Sequence, residues 1–504
     1  MSGVPATAGA HRRPEFVSRM FRSLRTRNYR LWFFGQTVSQ SGTWMQSTAQ
    51  SWLVWELTHN AFYLGITMAL QFLPVLVFGL VGGLVADRFD KRHVLLATQT
   101  AFTVQATVLF ALVASGAVRL WMVWALALVY GFINVVDNPS RQSFAVEMVG
   151  PDDLTNAVGL NSVIVNASRI VGPAIAGLLI ATAGMSWAFL ANAVSFAAVI
   201  GALYAMRASE LHRRPPVARA KGQIRAGLRY SWHDWELRVP LLMMAVIGTL
   251  AYNFSVILPL YAGDLFHRGG GTLGALMAAM GVGALAGALV IASRRRPSYQ
   301  LLVGVTLAFG ALIMAVASAP SLVFALVLLV PMGVFSIMFI ATANSLLQLH
   351  STGAMRGRVM ALWAMVFLGS TPIGSPLIGF IAAHYGVRTA LGIGGVATLL
   401  IGLWGGFELR RIRNGKRADL AAVDELDAAP LELDASEAEV DTATASAGRA
   451  APAVDGLAAA AAIEVTSIAA GDSAFTSDAP STADEVLAAA IAADARARSF
   501  SRGR

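Results

Sequence analysis

The chain has 504 residues, of which 56% are apolar and 13% charged, and its mean hydropathy is +0.61. A soluble domain has about half its residues apolar and about a quarter charged, so that class is excluded. The absence of cysteine excludes a disulfide framework, a thiolate metal site and a cysteine nucleophile. The net charge of +9 is split, with 33 Lys and Arg against 13 Asp and Glu in residues 1–417, and 5 against 16 in residues 418–504. The basic residues sit in short loops between apolar runs, which points to a polytopic membrane protein and not to nucleic acid.

Residues 1–30 are basic and carry no apolar stretch of their own, so no cleaved signal is expected. A membrane helix needs about 20 mostly apolar residues. Such runs fall near 31–57, 61–86, 94–115, 117–136, 157–182 and 186–206. A basic linker, 207–239, follows, broken at Arg213-Arg214-Pro-Pro, with Ala220 to Trp235 either a basic amphipathic helix on the inner leaflet or a solvated tether. Six more runs fall near 241–262, 271–292, 301–318, 321–345, 359–383 and 387–407. The expectation is an all-α polytopic membrane protein of twelve transmembrane helices, in halves spanning 31–206 and 240–417. The Ala-rich, acidic tail 418–504 is expected to be disordered, with a short helix allowed near 482–496.

Loop charge sets orientation. With the N-terminus inside, the inner loops hold Arg88, Lys91, Arg92, Arg141, the linker arginines, Arg294 to Arg296, Arg356 and Arg358, while the outer loops hold only Arg119, Arg268 and Arg388. Both termini are therefore expected in the cytoplasm, with the protein in the inner (plasma) membrane.

Small residues repeat. Gly172, Gly177 and Gly184 match Gly374, Gly379 and Gly386, each 202 residues on. Gly79, Gly83, Lys91 and Arg92 match Gly283, Gly287, Arg295 and Arg296, each 204 residues on. Two parallel six-span halves with a substrate site between them explain this pattern.

Polar groups inside spans mark packing contacts or a wet cavity. In span 1, Gln36, Gln40, Thr43, Ser47 and Gln50 share one helical face, read as a cavity wall. In span 4, Tyr130, Asn134, Asp137 and Arg141 share another. Span 5 presents Ser162, Asn166 and Arg169, and span 7 presents Asn253. Interhelical hydrogen bonding is the plainer role for any single amide. Arg169 stays charged, and lipid exposure at its depth would cost at least about 2.5 kcal/mol. It needs an acidic partner, a wet cavity or an anionic ligand. Asp137 is the nearest candidate acid, so Asp137 and Arg169 are the candidate proton-coupling pair, with a purely structural link between them equally open. Glu56 and Asp264 are read as solvated span ends, and Glu147 as a charge fixing the loop between spans 4 and 5. The eight His show no ligand spacing, so neither metal nor cofactor is expected.

The loop after span 2 reads Gly83-Leu-Val-Ala-Asp87-Arg88-Phe-Asp90-Lys91-Arg92. This resembles the major facilitator superfamily signature G-x-L-A-D-R-x-G-R-K/R, with Asp90 where that family has its second glycine. The resemblance implies a cytoplasmic latch formed by Gly83, Asp87, Arg88, Lys91 and Arg92 against span 11. Span 5 carries Gly159, Ser168, Gly172, Pro173, Ala176 and Gly177, which resembles the antiporter signature G-x8-G-x3-G-P-x2-G-G with Ser168 and Ala176 in place of glycine. That signature is associated with exporters exchanging substrate for protons; a generic small-residue packing face is the alternative. The stretch from Asp137-Asn-Pro-Ser-Arg141 through Asn156 to Pro173, together with residues 258–289, resembles the enterobactin-exporter-like branch, the transmembrane secretion effectors. The resemblance covers roughly 16–410 and implies a secondary transporter with protons, a small molecule and the bilayer as its partners. Export of amphipathic, drug- or siderophore-like molecules by a monomer through alternating access is the expectation. An importer or facilitator on the same fold, or a transporter-like sensor, are the rivals. No paired membrane carboxylates, no H-E-x-x-H or G-x-S-x-G and no nucleotide-binding loop occur, so an enzyme is not expected.

Overall fold

The computed structural model describes residues 22–150, 153–212, 223–294 and 297–428. The chain divides into one unit through Val423 and a second from Asp424; of the second, only the helical residues up to Ala428 are described. All regular structure among the described residues is helical. Spans 1 to 6 are α1 (Arg27–Thr58), α2 (Ala61–Arg88), α3 (Lys91–Ala114), α4 (Leu120–Val149), α5 (Leu154–Thr182) and α6 (Ser186–Ala205). In the linker, α7 covers Gln223–His233, inside the stretch expected to be amphipathic, and exposes Leu228 and Trp232 on one side; the Arg-Arg-Pro-Pro break lies outside the described residues. Span 7 is built of α8 (Trp235–Leu250) and α9 (Phe254–Leu260), closed by a π-helical turn over Tyr261–Leu265. Spans 8 to 12 are α10 (Gly270–Ser293), α11 (Tyr299–Ala317), α12 (Leu322–His350), α13 (Gly353–Tyr385) and α14 (Val387–Ala428).

Among the described residues, eleven helices are long and apolar enough to cross a membrane. The helix of the expected twelve that falls short on apolarity is α1, although it is 32 residues long. Its glutamines, serines and threonines lower its hydropathy, and they are tolerated because α1 lies between α5 and α6 and not on an open face. Two boundaries move. The fourth helix runs to Val149, which puts Asp137, Arg141 and Glu147 on the helix instead of leaving Glu147 in a loop. The last helix runs to Ala428, past the 417 boundary of the expected tail. Residues 1–21 and 429–504, including the allowed helix near 482–496, lie outside the described residues.

The glycines repeated at offset 202 make equivalent contacts in the two halves, whereas in the offset-204 pair Gly79 meets nothing within 4 Å and Gly283 packs on Val330. Gly172 faces Ser41 and Trp44 of α1, and its partner Gly374 faces Thr249 of α8, so span 5 packs on span 1 as span 11 packs on span 7. Gly177 meets Gly274 of α10, and its partner Gly379 meets Ala61 and Phe62 of α2. These are contacts between the halves, span 5 on span 8 and span 11 on span 2. A Cβ on Gly274 would stand 2.6 Å from the Gly177 Cα, and one on Gly379 would stand 2.6 Å from the Ala61 carbonyl oxygen, so neither position has room for a side chain. Gly184 and Gly386 end their helices at φ +100° and +87°, a conformation that glycine adopts without a Cβ penalty. Within the halves, α2 crosses α4 through Gly82 and Gly131, as α10 crosses α12 through Gly283 and Gly333.

Candidate functional site

The polar faces of spans 1 and 4 meet inside the first half. A cavity of about 200 Å³ is lined by Ser39, Gln40, Thr43 and Trp44 of α1, Phe102 of α3, Tyr130, Asn134, Asn138 and Arg141 of α4, and Phe196 of α6. Gln40, Thr43, Tyr130 and Asn134 were candidate cavity residues, and the structure brings all four together. The aromatic floor is a run of rings, Tyr130 on Phe102 at 5.0 Å and Phe102 on Phe196 at 5.4 Å. The other stripe residues are placed elsewhere. Gln36 and Gln50 are buried, each with its Nε2 unpartnered among the described residues. Ser47 is half-buried, and its carbonyl accepts from the Ser51 hydroxyl.

A residue off the stripe, Gln46, forms the buried polar network. Its Nε2 donates to Gln105 Oε1 (3.0 Å), and Asn192 Nδ2 donates to its Oε1 (2.7 Å), while Ser195 Oγ donates to Asn192 Oδ1 (3.1 Å). This chain ties α3, α1 and α6 together. Periodicity missed it because each helix contributes only one or two of its members. Two further candidate cavity residues do not line this cavity. Asn253 is buried at the break between α8 and α9, where its Nδ2 donates to the Thr249 carbonyl that the break frees, and its Oδ1 accepts from Ser375 Oγ of α13. Asn166 Nδ2 donates to the Ser162 carbonyl of its own helix, leaving Oδ1 unpartnered.

The Asp137–Arg169 pairing is not formed. Asp137 is fully buried, and its cation is Arg141, one turn on in the same helix. Its other oxygen accepts from Thr98 Oγ1 (2.7 Å) and Gln99 Nε2 (2.9 Å) of α3. The i,i+4 spacing of Asp137 and Arg141 was visible in the sequence, and a partner on the same helix costs no interhelical geometry. Arg169 sits where α5 touches both halves. Its guanidinium lies 5.2 Å from the centre of the Trp44 ring. Its carbonyl oxygen packs on Gly281 of α10, and the neighbouring Ser168 accepts from Ser41 Oγ at 3.2 Å.

The antiporter-like residues divide by contact. Ser168 and Gly172 serve α1, Gly177 serves α10, Pro173 and Ala176 are buried, and Gly159 meets nothing within 4 Å. Close approach therefore accounts for the motif except at Gly159. In the latch loop, Asp90 caps α3 by accepting from the His93 amide, at φ −60°. No left-handed turn is required there, which is why aspartate can replace the family's glycine. Lys91 holds Glu147 at 2.7 Å, so Glu147 does fix this corner. Arg92 caps α6 through the carbonyls of Leu203 and Tyr204, Arg88 is exposed, and Gly83 is buried. The second-half counterparts Arg295 and Arg296 lie outside the described residues.

At the opposite end of the bundle Glu56 and Asp264 are exposed at their span ends, as expected, and each also accepts from an indole. Glu56 accepts from Trp52 Nε1 (2.6 Å), and Asp264 accepts from Trp55 Nε1 (2.9 Å). The two indoles stack at 4.4 Å, and Gly263 and Gly270 of the second half pack on Trp55 and Trp52. Trp52 is buried and Trp55 half-buried, and these acids accept from their indole N–H groups.

Comparison with known proteins agrees with this architecture. The chain is similar to the staphyloferrin A transporter of Staphylococcus aureus, with 25% identity over 71% of this chain and 91% of that protein. It is similar to the enterobactin exporter EntS of Shigella flexneri, with 27% identity over 71% of this chain and 86% of that protein. Among solved structures, a POT family transporter in complex with a thioalcohol-conjugated peptide superimposes with a TM-score of 0.62, at 13% identity and covering 77% of this chain and 96% of that one. The nucleoside transporter NupG superimposes with 0.60, at 11% identity and covering 75% and 98%. These likenesses establish a major facilitator fold. The transmembrane secretion effector model matches residues 18–440, and the chain therefore belongs to that family of multi-pass membrane transporters, related to a siderophore exporter.

Proposed function

We propose that this chain exports amphipathic small molecules of siderophore or drug type from the cytoplasm, by proton antiport with alternating access, as a monomer in the cytoplasmic membrane with both termini inside. The observation that carries the reading is the Asp137–Arg141 pair. Asp137 is a carboxylate cut off from solvent, and its cation is itself part of the wall of a polar cavity. Such a carboxylate takes up or releases a proton when its access to water or the position of its cation changes. Arg141, and not Arg169, is its coupling partner in this arrangement. Inward movement of one proton across 100 mV gains about 2.3 kcal/mol, enough to sustain an outward gradient of about 50-fold at about 1.4 kcal/mol per tenfold.

The packing of the halves supports alternating access. The glycine contacts between spans 5 and 8 and between spans 11 and 2 lie toward the end where Trp52 and Trp55 stack. Nearer the termini, Gly159, Gly353 and Gly357 meet nothing within 4 Å. With the termini in the cytoplasm, contact between the halves at the outer end is what an inward-facing state requires. The residues Gly83, Asp87, Arg88, Lys91 and Arg92 would then latch that side in the opposite state. The test is flux into everted vesicles, using labelled siderophores and lipophilic dyes. Accumulation abolished by a protonophore and by Asp137→Asn is expected. Full proton-coupled flux in Asp137→Asn would remove Asp137 as the carrier, and accumulation confined to intact cells would mean uptake.

A further inference from the structure

Arg169 is a membrane-depth cation that forms no ion pair among the described residues. Among the described residues, every acid that could neutralise it is committed elsewhere. Asp137 is held by Arg141, Thr98 and Gln99. Glu147 is held by Lys91. Glu56 and Asp264 accept from indoles at the far end. The Arg169 Nε is buried with no hydrogen-bond partner. A guanidinium only donates, so only an acceptor can satisfy it. Trp44 covers one face of the group but brings no negative charge.

We infer that Arg169 and Trp44 form a recognition site for an organic anion carrying a flat or aromatic carboxylate-type group, which makes the cargo negatively charged. This rests on the transport reading above and names its substrate class. Three features support it. A guanidinium is planar and forked, so it grips a carboxylate with two parallel hydrogen bonds while its face stacks on an indole. Trp44 belongs to the wall of the polar cavity in the first half, so the ring that Arg169 lies over also borders a space open to cargo. The residue is seated at the seam between the halves. Its carbonyl packs on Gly281 of the second half, and Tyr252 of that half lies within electrostatic reach of its charge. An anion bound there contacts the elements that must rearrange during alternation. A lipophilic cation would meet Arg169 as a like charge and be rejected.

The experiment is binding to the purified full-length protein in detergent, read by tryptophan fluorescence and calorimetry, with three probes. Salicylate and salicylamide are near-isosteric and differ in charge, and tetraphenylphosphonium is an aromatic cation. The wild type is expected to bind salicylate at least about tenfold tighter than salicylamide, and tetraphenylphosphonium weakest. Arg169→Gln is expected to erase the salicylate preference to within about twofold, and Arg169→Lys to retain part of it. Trp44→Leu is expected to weaken both aromatic amide and acid while keeping the preference. A wild type that binds the amide or the cation as tightly as the acid overturns the inference, as does an Arg169→Gln protein that keeps the preference. If Arg169→Gln does not fold, the wild-type ratio and Arg169→Lys decide. No proton gradient is present, so selective salicylate binding combined with protonophore-insensitive flux would refute antiport alone.

Discussion

Replacing Arg141 by leucine isolates a charge that the fold has buried completely. The Asp137 side chain has no solvent exposure and the Arg141 side chain keeps 21%. Breaking a buried pair by removing one partner costs about 3–5 kcal/mol. Thr98 and Gln99 still donate to Asp137 Oδ1 in the variant, so the lower end, about 3 kcal/mol, is expected, a loss of more than about 100-fold in the folded population. Asp137→Asn leaves Arg141 facing a wet cavity and costs less, about 1–2 kcal/mol. In the double variant no charge is stranded, so its cost should approach that of Asp137→Asn alone, giving a coupling energy of about 2–3 kcal/mol. Reversible denaturation in mixed micelles, run as a double-mutant cycle, measures this. A coupling below about 0.5 kcal/mol, the range of independent sites, would refute the pairing. A larger coupling between Asp137 and Arg169 would show that the interhelical link expected from the sequence is the real one.

Gly177→Leu drives a side chain into the Gly274 backbone and should abolish transport, whereas Gly159→Ala, in open space, should leave it intact and gain up to about 1 kcal/mol of helix propensity; equal effects in a cell accumulation assay would contradict the division of the span 5 motif. Trp55→Phe removes the donor to Asp264 and should raise the accessibility of outward-facing cysteine reporters on spans 1 and 7; unchanged labelling would show that the indole seals nothing. Glu147→Gln strands Lys91 and should lower thermal stability, with Lys91→Met in the same chain restoring part of it; additive losses would argue against the ion pair. A chain ending at Gly415 should keep full efflux, and loss of a signalling output with transport unaffected would favour a sensor.

The membrane class, the helical runs and the repeat at offset 202 were legible in the sequence because they depend on local apolarity and on glycine. Glycine is needed where two backbones touch, so Gly172 and Gly177 recur with their counterparts, while Gly184 and Gly386 recur because both take a positive φ. The polar face of span 4 was legible for the same reason, since residues at helical spacing share a face whatever surrounds them. Which polar residue meets which was decided only in three dimensions. Asp137 and Asn138 are adjacent in the chain, yet one is buried against Thr98 and the other borders the cavity. Gln46 and Asn253 became packing residues because a neighbouring helix or a broken backbone offered them partners. Arg169 went unpaired because its nearest acid found a cation one turn away. Helical periodicity gives the direction of a side chain about its own axis, but the partner depends on the rotation and distance of another helix, which no single helix encodes.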